Sequence, residues 1–459
     1  MPNYHANTEV RETPSADEPF PRIRLSIPFL TTSGLWDLCW LFSLLPFWWL
    51  IGVEQIIAPV LLTWTFIKIS LASRSFRFTA QSKLFMMFFV AAVISGFFIV
   101  ESYRLLTFMR STLNYYTALL LLLIVPTVIT ETYQVRRFLK HIVFAAFFAA
   151  FIGLLGVLGL WRPSFTSVVG QLMPASIIST ELGQAVSMRT LGGPGWFAPI
   201  GSYFRVNSFF LFSTMYALFL ALTVPVAIWL LKESRGLKKT ANIIVVLVML
   251  SNLIFATGRI ATLALCVGLV YWLVTATPLL LRSIIVLLAL ITFTVGVSLT
   301  PLDIDATEAL EAAIFARGAG SFEDRLGVYI HTVEGFWERP VLGWGTERNI
   351  EGLRYPAGSH SYFLGILYKH GSIGFLIFLA LIVSIAIALW HKKSVQIRSS
   401  VNLRLIVLGR VIFIIFLLAG LTDAFDLDAT TNQTLWAILA CTLSAPYQQA
   451  QQSNSKTGG

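Results

Sequence analysis

The chain has 459 residues, 56% of them hydrophobic and only 12% charged, with a mean hydropathy of +0.76. These values exclude a soluble globular domain and describe an integral membrane protein. The formal net charge of +10 reads as a topology signal carried by cytoplasmic loops, not as a nucleic-acid footprint.

Residues 1–30 hold Glu9, Arg11, Glu12, Asp17 and Glu18 among prolines. They lack the apolar core of a signal peptide, and a disordered cytoplasmic tail is expected. Apolar runs of bilayer-spanning length then recur near 35–52, 54–72, 84–100, 112–130, 141–161, 208–231, 241–257, 260–277, 280–300, 371–390, 404–421 and 431–446. They predict an all-α polytopic membrane protein of about twelve transmembrane helices, because lipid requires backbone groups to be satisfied within each segment. Helices 1–9 fall within 31–300 with an outward loop at 162–207. A large extracytoplasmic loop, 301–370, separates spans 9 and 10, helices 10–12 fall within 371–446, and 447–459 form a second disordered tail. Pro46 and Pro59 interrupt the first two spans, and Trp48-Trp49 with Glu54 suggest an interfacial turn. Cys39, Cys266 and Cys441 all lie in spans and give neither a disulfide framework nor metal-ligand spacing.

With the N-terminus inside, the even-numbered connections carry the lysines and many arginines, among them Lys83, Arg136, Arg137, Lys232, Lys238, Lys239, Lys392 and Lys393. This is the positive-inside pattern. The outward connections contain Arg104, Arg110, Arg162, Arg189, Arg205, Arg259, Arg317, Arg325, Arg339, Arg348 and Arg354, and no lysine. Arginine grips phosphate or carboxylate in a planar, two-pronged fashion that lysine cannot reproduce. Most of these arginines are expected to pair with the acids of the same loops, leaving two or three for an anionic ligand.

In the 162–207 loop, Gly192-Gly193-Pro194-Gly195 predicts irregular backbone, and Arg205 stands at the outer face ahead of the sixth span. Arg259 lies in a very short outward hairpin, Ala256-Thr257-Gly258-Arg259, where an ionisable group pairs, binds a ligand or snorkels to the head groups. Residues 322–337 have helical apolar spacing at Phe322, Leu326, Tyr329, Ile330, Val333, Phe336 and Trp337, flanked by Arg325 and Arg339 and stopped by Pro340. After Gly343-Trp344-Gly345 comes Gly358-Ser359-His360-Ser361. His360 is expected to open a short helix, 360–370, that enters the outer leaflet and breaks at the glycines. A lone histidine near a span is most often a packing or capping residue, but here small neighbours leave the imidazole accessible.

His360-Ser361 followed by Gly371 and Gly374 resembles the histidine motif of the O-antigen ligase and polymerase family. Arg259 with Leu263 is similar to that family's short arginine motif. Arg325 with Trp337, Pro340, Gly343 and Gly345 resembles its helix ahead of the histidine, and Arg205 with Ser208 its segment before the sixth span. The resemblance covers roughly residues 80 to 440. Ser361 stands where many members have asparagine.

The resemblance implies a C-type membrane glycosyltransferase in a bacterial cytoplasmic membrane, working on its periplasmic or extracellular side. Such an enzyme takes a glycan from an undecaprenyl-diphosphate carrier and joins it to an acceptor, either a glycan or the lipid A core. Membrane lipids surround it, other polysaccharide assembly proteins are candidate partners, and nucleic acid is not one. Arg259, Arg325 and Arg205 would clamp the diphosphate as charge develops. His360, with an ordinary pKa of about 6.5, would take the acceptor proton, so that rate rises with pH through the histidine range. Ser361, Gly371 and Gly374 would support it. Attack opposite the diphosphate would invert the anomeric centre. No cofactor and no metal are expected. Asp303-Ile304-Asp305 and Asp426-Leu427-Asp428 have the spacing of a metal-binding pair, but the first outward loop, where metal-dependent C-type transferases carry their acids, has only Glu101. The alternative reading is a transporter or flippase of lipid-linked glycans, for which intramembrane charges and a half-to-half repeat would be the signature.

Overall fold

A computed structural model of the chain describes residues 28–72, 75–178, 183, 187–197, 201–276, 319–391 and 400–457. Residues 1–27 of the expected N-terminal tail, the span at 280–300, the first part of the loop after it, and Lys392 and Lys393 fall outside these residues.

The prolines of the first two spans act as the sequence suggests. Helix α1 (Pro28–Ser43) and helix α2 (Leu45–Ile51) meet at a bend of 62°. Pro46 sits in the first turn of α2, where a missing amide hydrogen costs nothing. Gly52, at φ 101°, ends that helix in a left-handed turn. Pro59 likewise falls in the first turn of α3 (Ile57–Leu71). The next helices are α4 (Ala80–Gly96), α5 (Leu105–Val128) and α6 (Thr132–Val157).

The 162–207 region departs from an all-helical chain. Strand β1 (Ser164–Thr166) pairs antiparallel with β2 (Met188–Thr190), and β3 (Gly192–Phe197) with β4 (Gly201–Val206). The Gly192-Gly193-Pro194-Gly195 cluster is therefore an extended strand, not irregular backbone. Its first glycine is needed because a Cβ at Gly192 would collide with the Arg205 carbonyl across the hairpin.

Helices α7 (Ser213–Lys232), α8 (Leu237–Ala256), α9 (Arg259–Ala276), α10 (Ala319–Glu338), α11 (Tyr362–Trp390), α12 (Ser400–Gly420) and α13 (Ala429–Thr457) complete the fold. Among the described residues, six helices are long and apolar enough to cross a membrane, and the bent α1–α2 pair would make a seventh. Helices α3, α4 and α9 are shorter apolar segments. Helix α13 stands outside both sets because Thr430, Thr431, Asn432 and Gln433 occupy its first turns, and these are buried. The interior post is α7, buried along almost its whole length and packed against α6, α8, α9, α12 and α13. Helix α11 lies against α4 and α12, and α10 lies across the start of α11.

Candidate functional site

Helix α10 presents two faces. Leu326, Ile330, Val333 and Trp337 form an exposed apolar stripe, whereas Val328, Thr332 and Gly335 face inward. The inward face fastens the loops on either side of it. The Thr332 hydroxyl accepts from the Gly358 amide at 2.8 Å, Tyr329 donates to the His360 carbonyl at 3.2 Å, and the Trp344 indole donates to the Gly335 carbonyl at 2.7 Å. Arg339 and Arg348 both lie over the Trp344 ring, at 4.0 and 3.8 Å from its centroid.

The glycine motifs on either side of the histidine turn out to be two halves of one joint. Helix α11 is broken at Gly371, which adopts φ 62° and ψ −168°. That break would strand the last carbonyls of the first half and the first amides of the second. The turn after Pro340 satisfies both. Trp344 and Gly345 donate their amides to the Tyr368 and Lys369 carbonyls (3.0 and 2.7 Å). Ser372 and Ile373 donate theirs to the Pro340 and Val341 carbonyls (2.7 and 3.3 Å). The backbones approach so closely that a Cβ at Gly343 would lie 2.6 Å from the Lys369 carbonyl, and one at Gly371 would overlap the Val341 carbonyl. The expected break at the glycines is present, and its purpose is this interlock.

His360 lies just ahead of α11 and does not open it. Its backbone is left-handed at φ 60°. Ser361 is the helix cap, accepting from the Leu364 amide (3.3 Å) and donating to the Gly420 carbonyl (3.4 Å). A serine therefore fills the capping position where asparagine is common, and also ties the histidine segment to the turn after α12. The His360 imidazole meets the Tyr355 ring edge-on at 4.4 Å. Burial and the neighbouring Arg325 push it down to about 4, with Asp324 opposing. It is neutral at physiological pH, so the rise in rate expected through the ordinary histidine range moves to lower pH.

The arginines converge on this end of the bundle. Arg205, on β4 opposite Gly193, donates from Nε to the Ala256 carbonyl at 3.4 Å. That carbonyl ends α8, and Thr257, at φ 51°, turns the chain into Arg259 at the head of α9. Gly258 packs so tightly on Ala217 that no side chain fits there. Arg205 and Arg259 thus share one corner. Asp423, a buried acid in the turn between α12 and α13, is raised by burial and drawn back down by the charges of Arg325 and Arg205.

Three other outward arginines are held by protein partners, chiefly main-chain carbonyls and an acid from another connection. Arg189 forms a buried two-pronged pair with Glu54 (2.9 and 3.0 Å). Arg104 donates to the carbonyls of Trp344, Thr346 and Glu347. Arg162 donates to the Gly156 carbonyl at 2.7 Å.

A second polar cluster, invisible in the sequence, lies behind the interlock. Lys369, 1% exposed, pairs with Asp426 at 2.5 Å and with Glu347 at 3.8 Å. Tyr115 donates to Asp426 at 2.9 Å, and His370 hydrogen-bonds Ser95 at 2.8 Å and lies 3.4 Å from the Tyr115 hydroxyl. Burial would raise Asp426, but Lys369 outweighs it and holds that carboxyl below its usual range. Burial raises Glu347. Asp428 instead caps α13 by accepting from Thr431, so Asp426 and Asp428 serve different partners. Among the described residues, no group of three or more potential metal ligands occurs.

Residues 244–379 match the family model described as O-antigen ligase, which supports the resemblance read from the sequence. The matched segment contains Arg259, Arg325, His360, Gly371 and Gly374, while Arg205 and Asp423 lie outside it. No curated protein matches the chain.

Proposed function

We propose that this chain, with its O-antigen ligase segment, transfers a glycan from an undecaprenyl-diphosphate carrier to an acceptor hydroxyl at the outer face of the cytoplasmic membrane. The single observation that carries the reading is the convergence of Arg205, Arg259, Arg325 and His360, from four separate elements, on one end of a membrane bundle. A sugar diphosphate already has a good leaving group. Catalysis then needs donors aimed at the charge that develops on the diphosphate, which the arginines provide. It also needs a base for the acceptor hydroxyl. His360 is neutral and so able to accept that proton. A bound diphosphate would offset the Arg325 charge and make the imidazole more basic in the loaded enzyme. Tyr329 and Ser361 fix its backbone. Displacement from the face opposite the diphosphate inverts the anomeric centre, and the protein's own cations supply the charge stabilisation. The exposed apolar stripe of α10 suits a helix resting at the lipid interface, where the carrier's head group would lie.

The test is transfer by the purified protein from a polyprenyl-diphosphate glycan to acceptor. His360→Ala is expected to lose roughly 10²–10⁴ in rate while donor binding persists. Near-normal transfer by His360→Ala would exclude the base role. Donor movement across a vesicle membrane without transfer would favour the flippase reading instead.

A further inference from the structure

The His360 backbone is pinned on both sides. Tyr329 bonds its carbonyl from α10, and the Ser361 amide donates to the Ser359 carbonyl at 2.9 Å. The Ser359 amide and hydroxyl both donate to the Pro356 carbonyl, at 3.3 and 2.6 Å. This tight turn folds the chain back on itself, so that Tyr355 and His360 meet ring to ring. A pinned backbone does not fix an imidazole, which still turns about its side-chain torsions. A base that must face an acceptor hydroxyl needs a further group to orient it. Among the described residues, no side chain hydrogen-bonds the imidazole nitrogens. The contact that sets the plane of the imidazole is the Tyr355 ring, with 4.4 Å between centroids and 82° between planes. Edge-on packing of this kind is a preferred arrangement of two flat rings.

Tyr355 is itself held by the excursion that it ends. The bridge between Arg348 and Ala357 closes that excursion. Leu353 packs at Gly327 of α10, where an added Cβ would come within 3.2 Å of the leucine side chain. Arg354 lies over the Tyr355 ring at 5.5 Å and reaches Asp324, also on α10, at 3.9 Å. The ring that meets the imidazole is therefore fastened to the helix that also holds the His360 carbonyl.

We propose that Tyr355 is a positioning residue for the acceptor base: its ring holds the His360 imidazole in the orientation from which a nitrogen faces the acceptor hydroxyl. The inference rests on the base reading given above. The role belongs to the aromatic ring and not to the phenol hydroxyl, because the contact is between rings. Loss of the ring lets the imidazole turn away, and a misplacement of about 1 Å can cost about 10²-fold in rate. Donor binding is unaffected, because it belongs to the arginines.

The experiment is steady-state transfer by the purified full-length protein, together with equilibrium donor binding and melting curves. Donor and acceptor are the lipid-linked glycan and the unmodified acceptor lipids extracted from cells that lack the enzyme. Tyr355→Leu and Tyr355→Met remove the ring, and each is expected to lower kcat by about 10- to 100-fold. Acceptor KM, donor binding and melting temperature are expected to stay at wild-type values. Tyr355→Phe, which restores the ring, is expected to recover most of the lost rate. In a His360→Ala background Tyr355→Leu is expected to cost nothing more, since a positioning residue acts only through the group it positions. Wild-type kcat in both ring-less variants overturns the proposal, as does a Tyr355→Phe variant as slow as Tyr355→Leu. A raised acceptor KM at unchanged kcat overturns it in favour of direct contact with the acceptor. A lowered melting temperature in both ring-less variants, or a further loss in the His360→Ala background, overturns it as well. Near-normal transfer by His360→Ala would instead overturn the base reading, and this proposal with it.

Discussion

Arg205, Arg259 and Arg325 are carried by a strand, a helix start and an interfacial helix, so each can be removed without deleting a shared support. Replacing Arg325 with alanine is expected to lower transfer by roughly 10²–10³, the cost of losing a donor to developing charge. Lysine should recover only part of that loss, since it lacks the two-pronged geometry. Steady-state kinetics on inserted, monodisperse protein would check this, and full activity in Arg325→Ala would leave that arginine a structural role. Lys369 is a different case. Lys369→Met leaves Asp426 buried without its cation, a loss of roughly 3–5 kcal/mol, and should show as a lowered melting temperature in detergent. Its neighbour His370 sits at a helix break where sequence alone suggests a tolerant position. Its bonds to Ser95 and Tyr115 predict that His370→Ala also melts early, whereas His331, paired with Glu334 on the surface, accepts asparagine. A thermal shift of equal size for His331→Asn and His370→Ala would contradict this ranking. Arg259 and His360 stand out in the sequence as candidates because glycine adjoins them or lies two residues away in a polar loop, and Arg325 because it flanks an apolar helical stripe. Lys369 and Asp426 do not, because each is a single polar residue whose partner lies far away along the chain.

At the scale of elements, the break in α11 and the turn after Pro340 depend on each other. Gly371→Ala must force an L-residue into a left-handed backbone, at about 1–2 kcal/mol, and must also push the Val341 carbonyl aside. Gly343→Ala meets the Lys369 carbonyl and the Gly371 amide in the same way. Both are expected to lower thermal stability and to lose transfer activity, while Gly352→Ala, in open space but also at positive φ, should pay the backbone strain alone. Melting curves for the three variants test this ordering. Apolar run lengths located most helices to within a few residues. They could not show that two glycine-rich motifs form one joint, because the bonds between them are backbone bonds and leave no signature in side-chain pattern. The hairpin of β3 and β4 was missed for a related reason: its glycines read as punctuation, and only the pairing partner makes them a strand.

For the whole molecule, the loop charges predict which end of the bundle faces out. The structure also shows where a reporter can be reached. Ser187 and Glu347 are buried, so exposed positions serve better. Cysteine at Glu351 or Arg354 is expected to label with an impermeant reagent from outside, and cysteine at Arg235 or Lys238 only after permeabilisation. The opposite pattern would put the arginine cluster on the cytoplasmic side and remove its access to exported carrier. One feature of the joint bears on diversity. Its two strands are held through main-chain atoms at 340–345 and 368–373, and the bridge between Arg348 and Ala357 closes the excursion between them. The tip of that excursion, around 349–354, can therefore change in sequence without breaking those main-chain bonds, whereas Tyr355 carries the edge-on contact to His360. Exchanging those residues between related enzymes should retune which acceptor is used while leaving donor turnover in place.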